Sequence, residues 1–347
     1  MEPLYEPYVQ ALLKEIASQE KHKATTLFIG GGTPSLLPPA QLGALIAAVR
    51  EHFQLDDLAE VTVECNPGTV TLEYLKELKL RGANRLSFGA QSADPDELKL
   101  LGREHGFEDV IRAVENAREA GFGNINFDLI FGLPKQLLPT WQNTLARAVE
   151  INPDHISLYA LTIENGTPMY DWTKRGEIPY PDPDAAADMY DHAEETLAKH
   201  GYEHYEISNW CKPSREAQHN LIYWRNEPYF GLGAGAHSSD IANRWWKVRR
   251  PADYIARAEK GESLIMGSEI IDARTSRGET MMLGLRLLQE GITNKRFAQR
   301  HGEVIGKFFA KDHKHAEAQG LITHDADRVL LTQRGRFLSN QVMKLFV

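Results

Sequence analysis

Cysteine is nearly absent from these 347 residues: Cys65 and Cys211 are the only two, and neither has another thiol near it in sequence. So isolated a pair cannot form the disulfide framework of a small secreted fold, nor a Cys-only metal site, which takes three or four ligands close in space. Long apolar runs are missing as well. No stretch of 18 apolar residues occurs and mean hydropathy is -0.41, which excludes a membrane-spanning helix. Met1 to Glu15 lacks the basic-then-apolar pattern of a secretory signal, so a cytoplasmic location is expected. There is no internal repeat at a solenoid period and no low-complexity segment.

What is present is enough apolar sequence, 42% of the chain, for a large core, and a length that suits one barrel-sized domain with an appendage. Formal net charge is -9, yet residues 291 to 347 hold 10 Lys or Arg against 5 Asp or Glu. That basic tail is suited to an anionic partner.

From residue 25 to 164, short apolar runs alternate with amphipathic stretches, the pattern of strand-helix units on a parallel sheet. The strands are expected at Thr25 to Gly30, Glu60 to Cys65, Arg85 to Ala90, Asn124 to Ile130 and His155 to Ile163, each read as covered on both faces. Leu42, Leu45, Ile46, Val49 and Phe53 form one helical stripe between the first two. Met1 to Ser18 also reads as a helix, with Tyr8, Val9, Leu12, Leu13 and Ile16 on one face. A helix feeding the first strand, with nothing to pair on that strand's far side, implies a preceding βα unit of about 30 residues.

Residues 165 to 184 read as a loop, followed by helices over Ala185 to His200 and Arg277 to Glu290, the latter stopped by Gly291. The tail reads helix, helix, hairpin, helix: Asn294 to His301, Val304 to Gln319, Leu321 to Thr332 and Gln333 to Phe346, a winged-helix-like arrangement. Three parts are expected: a barrel over 1–175, its completion over 176–275 and the winged-helix-like part over 276–347.

In parallel α/β barrels the reacting groups project from the C-terminal ends of strands. Here those ends carry Gly30-Gly31-Gly32-Thr33-Pro34, Glu64-Cys65-Asn66-Pro67, Gln91-Ser92, Asp128 before Gly132-Leu133-Pro134, and Thr162 with Glu164. Three glycines before Thr-Pro let a ligand approach bare backbone. The Lys-Ser or Lys-Thr pair of a phosphate loop is absent there, and a tight turn capping a helix is the plain alternative.

The series GGGTP, VECNPG, NRLSFGAQS, LGREH, FDLIFGLPKQ and LYALTIENGTP, in that order, resembles the radical S-adenosylmethionine family that contains oxygen-independent coproporphyrinogen III oxidase. The segment from His219 to Trp224, HNLIYW, followed by YFGLGAGAHS, is similar to the HemW haem-chaperone branch of that family. The resemblance covers nearly the whole chain. It implies a partial (β/α)6 barrel, here without its first strand, with S-adenosylmethionine lying across the strand ends. The amino group would meet the backbone of Gly31, Gly32 and Thr33, and Arg103 would clamp the methionine carboxylate. Glu64, Gln91 and Asp128 would serve the ribose hydroxyls or the amino group, with Thr162 on the same rim. The family's CxxxCxxC motif, which holds a [4Fe-4S] cluster, is not in this sequence, so the resemblance makes the missing βα unit and the missing cluster motif one absence.

By the same resemblance His219 is a candidate haem ligand with Tyr223 and Trp224 as stacking partners, and His237 is a second. The implied activity is to bind haem and deliver it to a membrane respiratory acceptor. The alternative is oxidative decarboxylation of coproporphyrinogen III. Two further classes stay open: Gly231 to Ala236 fits G-x-G-x-x-A with Asp253 downstream, a weak dinucleotide fingerprint, and the basic tail is a candidate for nucleic acid, although no such binding is expected.

Overall fold

The structure, a computed structural model, describes residues 2 to 325 and 327 to 347. Five strands pair in parallel and in chain order: β1 (Thr26–Ile29), β2 (Glu60–Cys65), β3 (Arg85–Gln91), β4 (Ile125–Phe131) and β5 (His155–Ala160). A hairpin of β6 (Glu203–Glu206) and β7 (Asn209–Cys211) closes the far edge, β7 lying antiparallel to β5. The order is β1-β2-β3-β4-β5-β7-β6, with β1 at one end. The result is a curled half-barrel.

The alternation of the strands decides what each face does. Val61, Val63, Leu86, Phe88, Ile125, Phe127, Leu129, Ile156 and Leu158 enter one core with the surrounding helices. The residues between them, Arg85, Ser87, Asn126, Asp128 and Ser157, line a cavity on the concave face. These strands are therefore not apolar on both faces. An incomplete barrel leaves its inner face lining a cavity, so polar side chains there cost little.

The helices follow from their caps and stripes. Leu42, Leu45, Ile46, Val49 and Phe53 are all buried, as the spacing of helix Pro39–His52 requires. Thr71 accepts from the Tyr74 amide to start Leu72–Leu80, and Asp94 and Asp182 cap the Pro-initiated helices Pro95–Leu100 and Pro183–Lys199. The first helix, Tyr5–Ser18, buries Val9 and Ile16 in the barrel core.

Other boundaries differ from expectation. Within 165–184, Thr167 caps a helix over Pro168–Lys174. The helix expected at Arg277 to Glu290 runs instead over Ala273–Gly284, because Asp272 accepts from the Thr275 amide and starts it early. Gly291 does adopt the left-handed conformation, at φ 61°, but in the turn that follows. Gln333 to Phe346 is not one helix: it breaks at Leu338 into Gln333–Phe337 and Ser339–Met343.

Two smaller antiparallel sheets complete the molecule. Strands β8 (His237–Ser239), β9 (Asn243–Lys247) and β10 (Ile265–Ile270) stand in the order β10-β9-β8. The glycines of residues 231 to 236 thus lead into a strand, not the helix that a dinucleotide fingerprint needs. Near the C-terminus, β11 (Ile292–Thr293), β12 (Ile322–His324) and β13 (Arg328–Leu331) join helices Asn294–His301 and Ile305–Ala318 around a second core of Met281, Leu285, Phe297, Phe309, Val342 and Phe346. This is a winged-helix-like arrangement.

Candidate functional site

The concave face of the half-barrel holds a cavity of about 450 Å³. Glu64, Gln91, Asp128 and Thr162, placed at strand ends by sequence, all line it. The Gly31 amide donates to Glu64 Oε2 at 2.9 Å, which joins the glycine turn to β2. Gly31 takes φ 117°, a backbone state that side chains rarely adopt, and a Cβ on Gly31 or Gly32 would meet nothing within 4 Å. The turn has open space on both glycines. Thr33 follows at φ -153° and ψ 86° before the short 3-10 helix Pro34–Leu36. Gln91 has φ 64° at a register break in β3, a strained state for a residue with a side chain.

Around Asp128 the polar groups form one network. Its carboxylate accepts from Ser87 Oγ at 2.9 Å and Asn126 Nδ2 at 2.9 Å. The Ala217 amide donates to Tyr205 Oη at 3.3 Å, so the Tyr205 hydroxyl is free to donate to His155 Nε2, 2.8 Å away. His155 Nδ1 then carries the proton toward Asn126 Oδ1 at 2.6 Å. Burial holds the His155 imidazole well below its usual range, consistent with this neutral tautomer. Loss of solvent raises both Glu64 and Asp128 above the usual carboxylate range, partly offset by the hydrogen bonds each accepts.

Arg85 was not foreseen by the sequence reading. It is buried on the same face, its Nε has no hydrogen-bond partner among the described residues, and the nearest acid, Glu60, is 4.0 Å away. A guanidinium at a cavity wall whose only ion pair is this long contact suits an anionic group. The signal was there: in R-L-S of β3, N-F-D of β4 and H-I-S of β5 every second residue is polar.

His219 lies on the short helix Gln218–Trp224, whose first two amides donate to the Glu60 carboxylate at 3.0 Å each. Its ring stacks on Phe28, with Nδ1 2.8 Å from Thr26 Oγ1 and Nε2 3.1 Å from Tyr223 Oη. Burial, with a smaller contribution from Arg85, lowers its pKa to about 4. Asn220 lines the cavity beside it. Trp224 faces away, its indole under the Arg286 guanidinium at 4.1 Å. His237 is elsewhere again: it is exposed on β8 and stacked on Trp246. Arg103 is exposed and is not among the cavity-lining residues.

The described residues do not fit an iron-sulfur cluster. Cys65 and Cys211 are both buried, the latter's thiol pushed up to about 12 by burial, and no group of three His, Cys, Asp or Glu is placed to hold a metal among the described residues.

The fold is the half-barrel of the radical S-adenosylmethionine superfamily. The "Radical SAM superfamily" family model matches residues 1–148, and the "HemN C-terminal domain" matches residues 271–338. Along its length the structure matches coproporphyrinogen III oxidase (HemN) from Escherichia coli with a TM-score of 0.83 at 24% identity, covering 100% of this chain and 84% of that one, a likeness of fold. Sequence similarity is more specific. The heme chaperone HemW of Lactococcus lactis is 36% identical over 98% of this chain and 89% of its own, that of Bacillus subtilis 38% over 97% and 89%, and that of Escherichia coli 35% over 99% and 90%. The chain belongs to the HemW family of the radical SAM superfamily.

Proposed function

We propose that this protein is a haem chaperone, which binds haem and transfers it to an acceptor protein of the respiratory membrane. The observation that carries the reading is similarity to proteins named heme chaperone over 97–99% of the chain, against a likeness to the oxidase that is one of fold. No helix among the described residues is long and apolar enough to cross a membrane.

The residues at the cavity fit S-adenosylmethionine. The open turn at Gly31, Gly32 and Thr33 offers backbone carbonyls to an ammonium, while Glu64, Gln91, Asp128 and Thr162 offer polar partners for hydroxyl and amino groups. When bound to a reducing cluster, that nucleotide supplies a radical; nothing among the described residues supplies the cluster. The chain's own residues bind and orient: Glu64 fixes the glycine turn, and Ser87 and Asn126 fix the carboxylate of Asp128. Asp128→Asn is expected to weaken S-adenosylmethionine binding about tenfold in calorimetry, since it replaces a charged acceptor with a neutral one. Unchanged affinity would remove Asp128 from the nucleotide site.

The function itself is tested by titrating the protein with haemin and following the Soret band, then mixing the complex with an apo haem protein. Saturable 1:1 binding and transfer are expected. No binding, together with decarboxylation of coproporphyrinogen III by the same preparation, would instead establish the oxidase reading.

A further inference from the structure

Strand β10 stands at the edge of the β10-β9-β8 sheet and pairs on one side only, with β9. All of its residues except Gly267 are exposed, among them Ile265, Met266 and Ile270, the last at 85%. The Ile271 amide donates to the Ala242 carbonyl, and from that bond the ladder alternates, with Ser268 opposite Trp245 and Ile270 opposite Asn243. The amides and carbonyls of Ser268 and Ile270 therefore point away from β9, and none of them has a partner among the described residues. Edge strands are ordinarily blunted by lysine, proline or free charge. β10 holds neither proline nor lysine, and its one charge, Glu269, is paired with Arg244 at 2.8 Å. A bulge between Ile265 and Gly267 is its one protection.

Met266, at that bulge, also lines a cleft of about 470 Å³ between the sheet and helix Pro251–Lys260, so edge and cleft are continuous. Arg249 and Arg250 lead into the helix, and Arg257 and Lys260 lie on the helix face that lines the cleft. None of these four cations makes an ion pair within 4.0 Å among the described residues. Two carboxylates, Asp253 and Glu262, share the lining, which leaves an excess of positive charge on a protein whose net charge is -9. An acidic chain is repelled by the rest of such a molecule and drawn to this one place.

We propose that β10 and its basic cleft dock an extended acidic segment of a partner protein, which adds to the sheet as a further strand and runs its carboxylates into the cleft. Backbone pairing at Ser268 and Ile270 supplies the attachment, and Arg249, Arg250, Arg257 and Lys260 select acidic side chains. An anionic lipid surface would suit the cations and Ile270, but hydrocarbon offers nothing to the outward amides of a strand edge. The inference goes beyond the haem-chaperone reading and does not depend on it.

The test follows, by fluorescence anisotropy against the full chain, a labelled peptide that alternates glutamate and threonine, beside one that alternates lysine and threonine. The acidic peptide is expected to bind with a Kd on the order of 10 to 100 μM, the basic one not at all, and the acidic one to slow hydrogen exchange at the amides of Ser268 and Ile270. Ser268→Pro removes one outward donor and leaves the ladder to β9, a change that edge strands accept, and should weaken the peptide about tenfold or more. Arg249→Glu/Arg250→Glu should weaken it about tenfold, with circular dichroism and the haemin titration unchanged in both variants. No binding at about 1 mM peptide, or binding without protection of those two amides, would overturn the proposal. Capture of the protein by phosphatidylglycerol vesicles in the absence of peptide binding would overturn it in favour of a membrane surface.

Discussion

Neutral imidazoles beside a buried guanidinium set the pH behaviour of the barrel cavity. His219 titrates near 4 and His155 well below its usual range, so between about pH 6.5 and 4 the unfolded chain binds protons that the native chain refuses. Stability present at neutral pH is therefore lost as pH falls through that window, on the order of 2 to 3 kcal/mol for His219 alone. Urea unfolding at pH 7 and 4.5 should show His219→Gln losing less on acidification than the unaltered protein; an equal loss would contradict this. Glu64 and Asp128 act in the opposite sense, since their raised values keep protons on the native state, but they are common to both proteins and cancel. At this scale the acceptors at strand ends were legible because a barrel puts function there. Arg85, Ser87, Asn126 and Ser157 were not, because reading each strand as covered on both faces hid their alternation.

Between elements, one buried polar cluster ties down the first helix. Glu15 is buried and accepts from Lys247 Nζ, Tyr254 Oη and, at 2.8 Å, the Gly233 amide; Lys247 also donates to the Gly231 carbonyl at 2.6 Å. Helix Tyr5–Ser18, the glycine-rich turn, β9 and helix Pro251–Lys260 thus meet at one carboxylate. Gly233 sits at φ 98° against Tyr8, so the glycine pattern here serves packing. Lys247→Met should destabilise by about 3 to 5 kcal/mol, because it leaves Glu15 charged and buried, whereas Glu15→Leu/Lys247→Met should recover much of the loss. Chemical denaturation of the three proteins measures this, and a double variant no more stable than Lys247→Met would refute it. Helix Asn294–His301 was readable to the residue, with Thr293 as its cap and Gly302 as its stop. The start at Ala273 was missed because its signal is a single capping residue, Asp272, ahead of the more strongly helical run after Arg277.

For the molecule as a whole, the C-terminal core meets the barrel through arginines. Arg286 pairs with Glu206 at 3.1 Å while covering Trp224, Arg225 and Arg296 share Glu290, and Arg336 pairs with Glu194. Part of the tail's positive charge is thereby spent within the protein, which argues against a nucleic-acid role for it. Arg286→Ala/Arg336→Ala should speed limited proteolysis at residues 271–272, between β10 and helix Ala273–Gly284, with the barrel left intact; an unchanged rate would show that apolar contacts alone hold the two together. The sequence by itself determined the parallel half-barrel, the winged-helix-like end, the polar strand ends and the family, because hydrophobic period, caps and glycine turns are local and survive as pattern. Only the tertiary structure decided that His219 and His237 belong to different places, that Trp224 faces away from the cavity, and that Arg85 stands on the cavity wall. Those facts depend on which segments pack together across hundreds of residues, and burial and pairing at such range leave no periodic trace in the chain.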